Sequence, residues 1–266
     1  MSPQNSNTET VESRKIEYLS PPAEVSMSDG YFQIATTTHF WVSRRFDVLQ
    51  RIANSVVSGA AEIAEIGCGH GLLQRQIEDN YGKPVTGFDL NEYGLKHNVS
   101  RISRVCCYDV HQRNKELRGK FDLILLFDVL EHISDEDRFL DALLFHLAPQ
   151  GKLIVNVPAG RWAFSEYDTA AGHVRRYAVK DLQAVALRNK LEIQNWTWWG
   201  FPLVPTVAMR KLVLRGRRDL RKINAIGFDS KAPWIDKALG ALARLEWIPQ
   251  KVLGTSLMAV LQGGMR

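Results

Sequence analysis

The chain has 266 residues, 45% hydrophobic and 24% charged, with a net charge of +5. That is the length and composition of a soluble globular protein of one or two domains with a substantial core. Its three cysteines, Cys68, Cys106 and Cys107, form no C-x-x-C pair, which excludes a disulfide framework and a cysteine zinc site and points to a reducing, cytoplasmic setting.

Residues 1–30 read as a flexible N-terminal tail. Its first fifteen residues are polar, with no apolar stretch behind a charged start, so no targeting segment is expected. A helix is expected over 31–57, where Phe40, Phe46, Leu49 and Ile52 recur at helical spacing. Strand and helix signals then alternate. Residues 61–66 read as a strand ended by a glycine turn, 72–80 as a helix, 84–88 as a strand ending at Asp89, and 91–101 as a helix capped by Asn91. A short strand over 104–108 ends at Asp109. The apolar run F-D-L-I-L-L-F at 121–127 suits a central parallel strand covered on both faces. A helix follows over 134–147, with Ser134 as cap and Asp135, Glu136 and Asp137 at its positive end. A turn at 149–151 leads to a strand over 152–157, and 159–177 reads as irregular. A helix over 179–190, a strand over 191–198, a mostly helical insertion at about 199–253 and a final strand over 254–261 complete the chain.

Alternation of this kind predicts right-handed crossovers and an open, doubly wound parallel sheet. Ligands bind such sheets beyond the carboxyl ends of the strands. The stretch W-T-W-W-G-F-P-L-V-P-T-V-A-M at 196–209 is too short to span a bilayer and contains Pro202 and Pro205. The excess positive charge is local. Arg210, Lys211, Arg215, Arg217, Arg218, Arg221 and Lys222 face only Asp219. A solvated helix face is the plainer reading, and contact with an anionic partner is the functional one.

The chemistry concentrates at E-I-G-C-G-H-G, 65–71. Glycines there let the backbone turn sharply and approach a ligand, and the next helix presents free N–H groups to an anionic group. Asp89 ends the second strand, where a carboxylate can accept both hydroxyls of a ribose. Asp109 ends the third, near where an adenine amino group would lie. A nicotinamide dinucleotide is the competing ligand, but its fingerprint is G-x-G-x-x-G. Here the spacing is G-x-G-x-G, and Glu65 before it suits a cationic sulfonium compound better than a pyrophosphate.

E-I-G-C-G-H-G, F-D-L-N, F-D-L-I-L-L-F followed by D-V-L-E-H, and L-A-P-Q-G-K-L-I-V-N-V-P resemble, in order and spacing, the motifs of class I methyltransferases that use S-adenosyl-L-methionine (SAM). A-G-H-V-R-R-Y at 171–177 further resembles a bacterial subgroup with a G-H-x-R-R-Y signature that often acts on small molecules, saccharides or lipid-linked compounds. The resemblance implies an α/β, Rossmann-like, doubly wound sheet of seven strands with an antiparallel last strand. It also implies an N-terminal helical cap, a helical insertion between strands six and seven, and one domain over 31–266. It implies that Gly67, Gly69 and Gly71, with Cys68 in the same loop, surround the methionine part of SAM, with Glu65 close by. Asp89 would hold the ribose and Leu90 pack on the adenine, flanked by Asp109 and Val110. Phe127 and Asp128 would cover the sulfonium side. His39, Trp41 and Arg44 would form a cap, with Arg44 a partner for the SAM carboxylate.

An alcohol or phenol acceptor must lose a proton, and a histidine is the usual base. His132 and His173 are the candidates. His132 belongs to the family motif whatever the acceptor, which favours a structural or cofactor-side role. His173 follows the fifth strand, where it serves either the acceptor or the loop. Of Arg175 and Arg176, one is expected to clamp an anionic group on the acceptor and the other to pair with Glu166 or Asp168. Tyr167 and Tyr177, with Trp162 and Phe164, are acceptor-pocket candidates that could equally be core. Cys68 reads as a packing side chain. No His/Asp/Glu cluster has ligand spacing, so no metal is expected.

The expected partner is therefore a small-molecule, saccharide or lipid-linked acceptor, methylated at oxygen. A nucleic-acid acceptor is disfavoured, because no N-P-P-Y-like motif follows the fourth strand and no RNA-binding module is recognisable. An inactive binding module is disfavoured because Gly67, Gly69, Asp89 and Asp109 are intact. Apolar bulk beside the basic run 210–222 adds an expected peripheral contact with an anionic membrane, weighed against a soluble cap.

Overall fold

The computed structural model describes residues 15–25, 36–37, 39–216 and 233–263. Among them, eight strands form one sheet in the order β1-β4-β3-β2-β5-β6-β8-β7. The strands are β1 (Glu17–Tyr18), β2 (Ile63–Ile66), β3 (Thr86–Asp89), β4 (Val105–Cys107), β5 (Phe121–Phe127), β6 (Leu147–Pro158), β7 (Leu191–Trp199) and β8 (Ser256–Gly263). The helices are α1 (Phe40–Gly59), α2 (Leu72–Tyr81), α3 (Glu92–Lys96), α4 (Glu136–Leu144), α5 (Glu166–Ala170), α6 (Val179–Arg188), α7 (Val204–Leu214) and α8 (Pro233–Arg244).

β5 is central because it is apolar on both faces. Leu123, Leu125 and Phe127 join a layer with Leu49 and Ile52 of α1 and Leu73 and Ile77 of α2. Ile124 and Leu126 join the opposite layer with Phe139, Leu140 and Leu143 of α4 and Leu182 and Val185 of α6. The period of two in a strand sends alternate side chains to opposite layers. β8 runs antiparallel to both β6 and β7, as expected of the last strand.

Several expectations need correction. The helix expected over 31–57 starts at Phe40, with residues 31–35 outside the described residues, and the one expected over 134–147 spans Glu136–Leu144. The sheet has eight strands, not seven, because Glu17–Tyr18 pairs in parallel with Cys106–Cys107. Part of the presumed tail is thus edge strand, held also by the Arg104 guanidinium on Glu17. The helix expected over 91–101 stops at Lys96. The backbone N–H groups of Arg101, Ile102 and Ser103 donate to the Glu78 carboxylate, which holds that stretch out of a helix. The turn expected at 149–151 lies within β6, as an irregularity in its pairing with β5. In the insertion, residues 217–222 of the basic run lie outside the described residues.

Candidate active site

The carboxyl ends of β2, β3, β4, β5 and β6 open onto one edge of the sheet. After β2, Gly67, Gly69 and Gly71 all have positive φ, and the N–H groups of Gly67 and Cys68 donate to Phe88 O. A Cβ on Gly67 would lie 2.3 Å from Val129, and one on Gly71 about 2.5 Å from Asn98. These glycines are therefore demanded by protein packing as well as by the turn. α2 starts at once after Gly71, with no side chain capping its first N–H groups. The Cys68 side chain packs with Leu95, Val105 and Cys107, so only its backbone belongs to the loop.

Asp89 closes this loop from the next strand. Its Oδ2 accepts from Gly69 N at 2.7 Å and its Oδ1 from Asn91 N at 2.8 Å. Burial raises its pKa against those hydrogen bonds. One lone pair on each oxygen is left for a vicinal diol. Leu90 accepts at its carbonyl from Ala23 N, and Asp109 N donates to Ser20 Oγ at 2.8 Å. The segment after β1 therefore lines this end of the cleft. Asp109 Oδ1 is used on His111 N at 2.9 Å, and Val110 is core.

Glu65 is 4% exposed, and its Oε2 has no hydrogen-bond partner. Burial pushes its pKa up to about 8; Arg45 opposes this and Asp89 adds to it. Across the loop, Asp128 has positive φ and pairs with the Arg45 guanidinium. Its Oδ1 accepts from Asn156 Nδ2 at 2.7 Å, and Asn156 Oδ1 accepts from Trp199 Nε1 at 2.9 Å. The Arg45 guanidinium also lies over the rings of Trp41 and Phe127, at 5.1 and 5.3 Å. Arg44, expected to face the ligand, points elsewhere. Its Nη2 donates to Glu246 O at 3.1 Å and lies 3.6 Å from Glu246 Oε2. Arg45 takes its place in the site, and the cue was Trp41, four residues earlier on the same helical face.

The loop after β6 folds around Asp168, which is fully buried. Its Oδ1 lies 3.0 Å from His173 Nδ1 and 2.7 Å from Arg176 Nε, and its Oδ2 accepts from Ser165 N. Burial raises the Asp168 pKa, but His173 and Arg176 outweigh it and hold it below the usual value. Arg176 is thus the loop-fixing arginine. Arg175 is also engaged, with Glu136 Oε2 at 2.5 Å and Ser134 O at 2.9 Å, so neither arginine presents a free fork to an acceptor. Tyr177 is likewise core, with its hydroxyl on Leu130 O and Glu136. Tyr167 lies under the Arg210 guanidinium, 3.8 Å from its ring centre, which docks the insertion onto this loop.

His132 and His173 meet edge to face, with ring centres 4.8 Å apart. His132 Nδ1 lies 3.1 Å from Gly172 O, and burial pushes its pKa down to about 4, helped by His173. Glu131 sits beside them, 1% exposed, and its Oε2 has no hydrogen-bond partner. Burial raises its pKa well above the carboxylate range, and Asp128 adds to this. Ligand atoms of Glu131, His132 and His173 all lie within 4.8 Å of one another. No such cluster is visible along the chain, because the loop after β6 must fold back to bring His173 to the end of β5.

Sequence reasoning missed Arg45, Asn156, Ser20 and the position of Glu131. Asn156 had a signal: an amide inside the otherwise apolar run L-I-V-N-V. Against α5 and α7 a cavity of about 820 Å³ is lined by Trp162, Phe164, Ala208, Lys211, Leu212 and Arg215, among others.

The profile of a family described as a methyltransferase domain matches residues 13–224. A probable S-adenosylmethionine-dependent methyltransferase from Mycolicibacterium smegmatis is 30% identical over 159 residues, 58% of this chain and 58% of that protein. The mitochondrial ubiquinone biosynthesis O-methyltransferase of Schizosaccharomyces pombe is 27% identical over 175 residues, 59% of this chain and 63% of that one. The chain thus spans less than two thirds of the length of either relative. A crystal structure of a SAM-dependent methyltransferase from Archaeoglobus fulgidus shares the fold, with a TM-score of 0.55 at 15% identity, over 88% of this chain and all of that one.

Proposed function

The chain belongs to the methyltransferase-domain family, and from that premise we propose that it uses SAM to methylate an oxygen of a small-molecule, saccharide or lipid-linked acceptor. The observation that carries this reading is the set of carboxylates around the glycine loop. Asp89 keeps acceptor capacity on both oxygens for a ribose diol, and Glu65 offers a buried, unpartnered oxygen to a cationic group. That donor set suits a ligand carrying a diol, an ammonium and a sulfonium, and does not suit a pyrophosphate.

When bound, SAM supplies a methyl carbon already activated for displacement. The remaining tasks fall to the protein. Gly67, Gly69 and Gly71 would surround the methionine part, Leu90 the adenine, with Asp109 and the backbone of Val110 flanking it, and Phe127 and Asp128 the sulfonium side. Arg45 replaces Arg44 as the cation at this end. The acceptor would lie toward the Glu131, His132 and His173 cluster, beyond the cofactor-binding edge. His173 is held by Asp168 with its Nδ1–H as donor, which puts a lone pair on Nε2. In the protein alone, that nitrogen can take the acceptor's proton. Similarity to a ubiquinone biosynthesis O-methyltransferase supports oxygen as the methylated atom.

The insertion supports a lipid-linked acceptor. α7 and its end expose Met209, Leu212 and Val213 beside Lys211 and Arg215, and Trp247 is 82% exposed. Apolar side chains beside basic ones suit the surface of an anionic membrane. Among the described residues, no helix is long and apolar enough to cross one.

Calorimetry with SAM, S-adenosylhomocysteine and NADH tests the cofactor, and labelled SAM with phenolic, saccharide and lipid-linked compounds tests the acceptor. Binding of NADH without binding of SAM would overturn the reading.

A further inference from the structure

We propose that Glu131, His132 and His173 bind a divalent transition-metal ion, whose remaining coordination positions receive the acceptor's oxygen. The inference rests on the acceptor being placed at this cluster.

The two histidines are already arranged as ligands. His132 Nδ1 faces Gly172 O at 3.1 Å, and His173 Nδ1 faces Asp168 Oδ1 at 3.0 Å. Both partners are acceptors, so each ring is oriented through its Nδ1–H, and each histidine offers one ligand atom within 4.8 Å of the other two donors. A carboxylate or carbonyl behind each imidazole is the arrangement that fixes metal-ligating histidines and strengthens their basicity. Asp168 is itself fixed, by Ser165 and Arg176. Glu131 adds the third donor. Its Oε1 lies 3.9 Å from His173 Nε2, and its Oε2 is buried without a hydrogen-bond partner.

A carboxylate oxygen buried in this way is costly unless a cation or donor satisfies it. Arg176, whose charge acts on Glu131, is committed to Asp168, Arg45 to Asp128 and Arg175 to Glu136. An ion bound about 2.0–2.2 Å from each donor places donors up to roughly 4.3 Å apart. The donors here lie within 4.8 Å, so small side-chain rotations close the site.

Two imidazole nitrogens and one carboxylate on one side of an ion leave the opposite positions open. This donor set selects zinc, manganese, iron or cobalt over magnesium or calcium, which prefer all-oxygen shells. An acceptor oxygen bound there would lose its proton more readily, since a bound cation stabilises the oxyanion. With the ion in place, His173 Nε2 is a ligand and the acceptor's proton passes to solvent.

The test uses the full chain, stripped with a chelator and titrated with Co²⁺, followed by visible absorption and calorimetry, with Zn²⁺ as competitor and Mg²⁺ as control. Saturable binding of Co²⁺, displaced by Zn²⁺ but not by Mg²⁺, is expected. His132→Ala, His173→Ala and Glu131→Gln should each weaken it at least about tenfold. SAM affinity, measured on the same samples, reports that each variant is folded. If Glu131→Gln does not fold, the two histidine variants decide. Absence of saturable Co²⁺ binding to the wild-type chain overturns the proposal. So do histidine variants that bind SAM normally and Co²⁺ with wild-type affinity. A chain that binds SAM but no Co²⁺ leaves the methyltransferase reading standing and removes the ion site. A chain that binds Co²⁺ in this pattern but no SAM does the reverse.

Discussion

Replacing Glu65 by Gln tests the electrostatics of the cofactor site without altering its shape. The carboxyl lies at the end of β2, buried, with one oxygen unpartnered. Burial pushes its pKa from a usual 4.5 up to about 8. The folded chain therefore keeps a proton that the unfolded chain has released between those two values. This group's contribution to stability is fully present below about pH 4.5 and is lost as pH rises through about 8. In that window the loss runs at about 1.4 kcal/mol per pH unit, so roughly 2.7 kcal/mol disappears between about pH 5.5 and 7.5. Glu65→Gln mimics the protonated form and has no such slope. In urea denaturation across this range, the variant should gain on the wild type by about that amount. Titrating groups remote from Glu65 are common to both proteins and drop out of the difference, whereas Asp89 and Asp128, which interact with it, contribute to what the difference reads. A cationic ligand beside Glu65 should also expel its proton. SAM binding near pH 6.5 should then release close to one proton, read as a calorimetric enthalpy that depends on the buffer's ionisation enthalpy. Parallel stability curves, together with a SAM enthalpy indifferent to buffer, would refute the reasoning.

Asp89→Ala should weaken SAM and S-adenosylhomocysteine alike, by roughly 1.5–3 kcal/mol per charge-assisted hydrogen bond lost, as measured by calorimetry. Asn156→Leu leaves Trp199 Nε1 and one Asp128 oxygen without their partner. It should cost about 1–3 kcal/mol for each buried group left unsatisfied, seen as a lower urea midpoint with an unchanged m-value. His173→Ala should lower turnover by about a hundredfold to ten-thousandfold while SAM affinity stays nearly constant; loss of SAM binding instead would make the loop purely structural. Flotation with anionic liposomes should carry the chain upward at low salt and release it at high salt, and indifference to lipid charge would sink the membrane contact.

Local pattern was enough for much of this protein. The alternation of strand and helix and the doubly wound sheet follow from apolar periodicity and glycine turns, which act over a few residues, whereas the antiparallel last strand was expected from the family resemblance alone. The glycine loop and Asp89 were legible for the same reason, since each lies at a strand end that its own segment defines. What failed depended on partners distant in the chain. Arg44 and Arg45 are adjacent in sequence, and only the docking of residue Glu246 against one helix face decides which of them enters the site. Tyr177 and Arg175 looked available until α4 supplied Glu136 to both. Glu17–Tyr18 is too short to announce itself and becomes a strand only because β4 offers it an open edge. The Glu131, His132 and His173 cluster shows the same dependence most clearly. No spacing along the chain reveals it, because its third member arrives on a loop whose path is set by a buried carboxylate, Asp168, and the arginine that neutralises it.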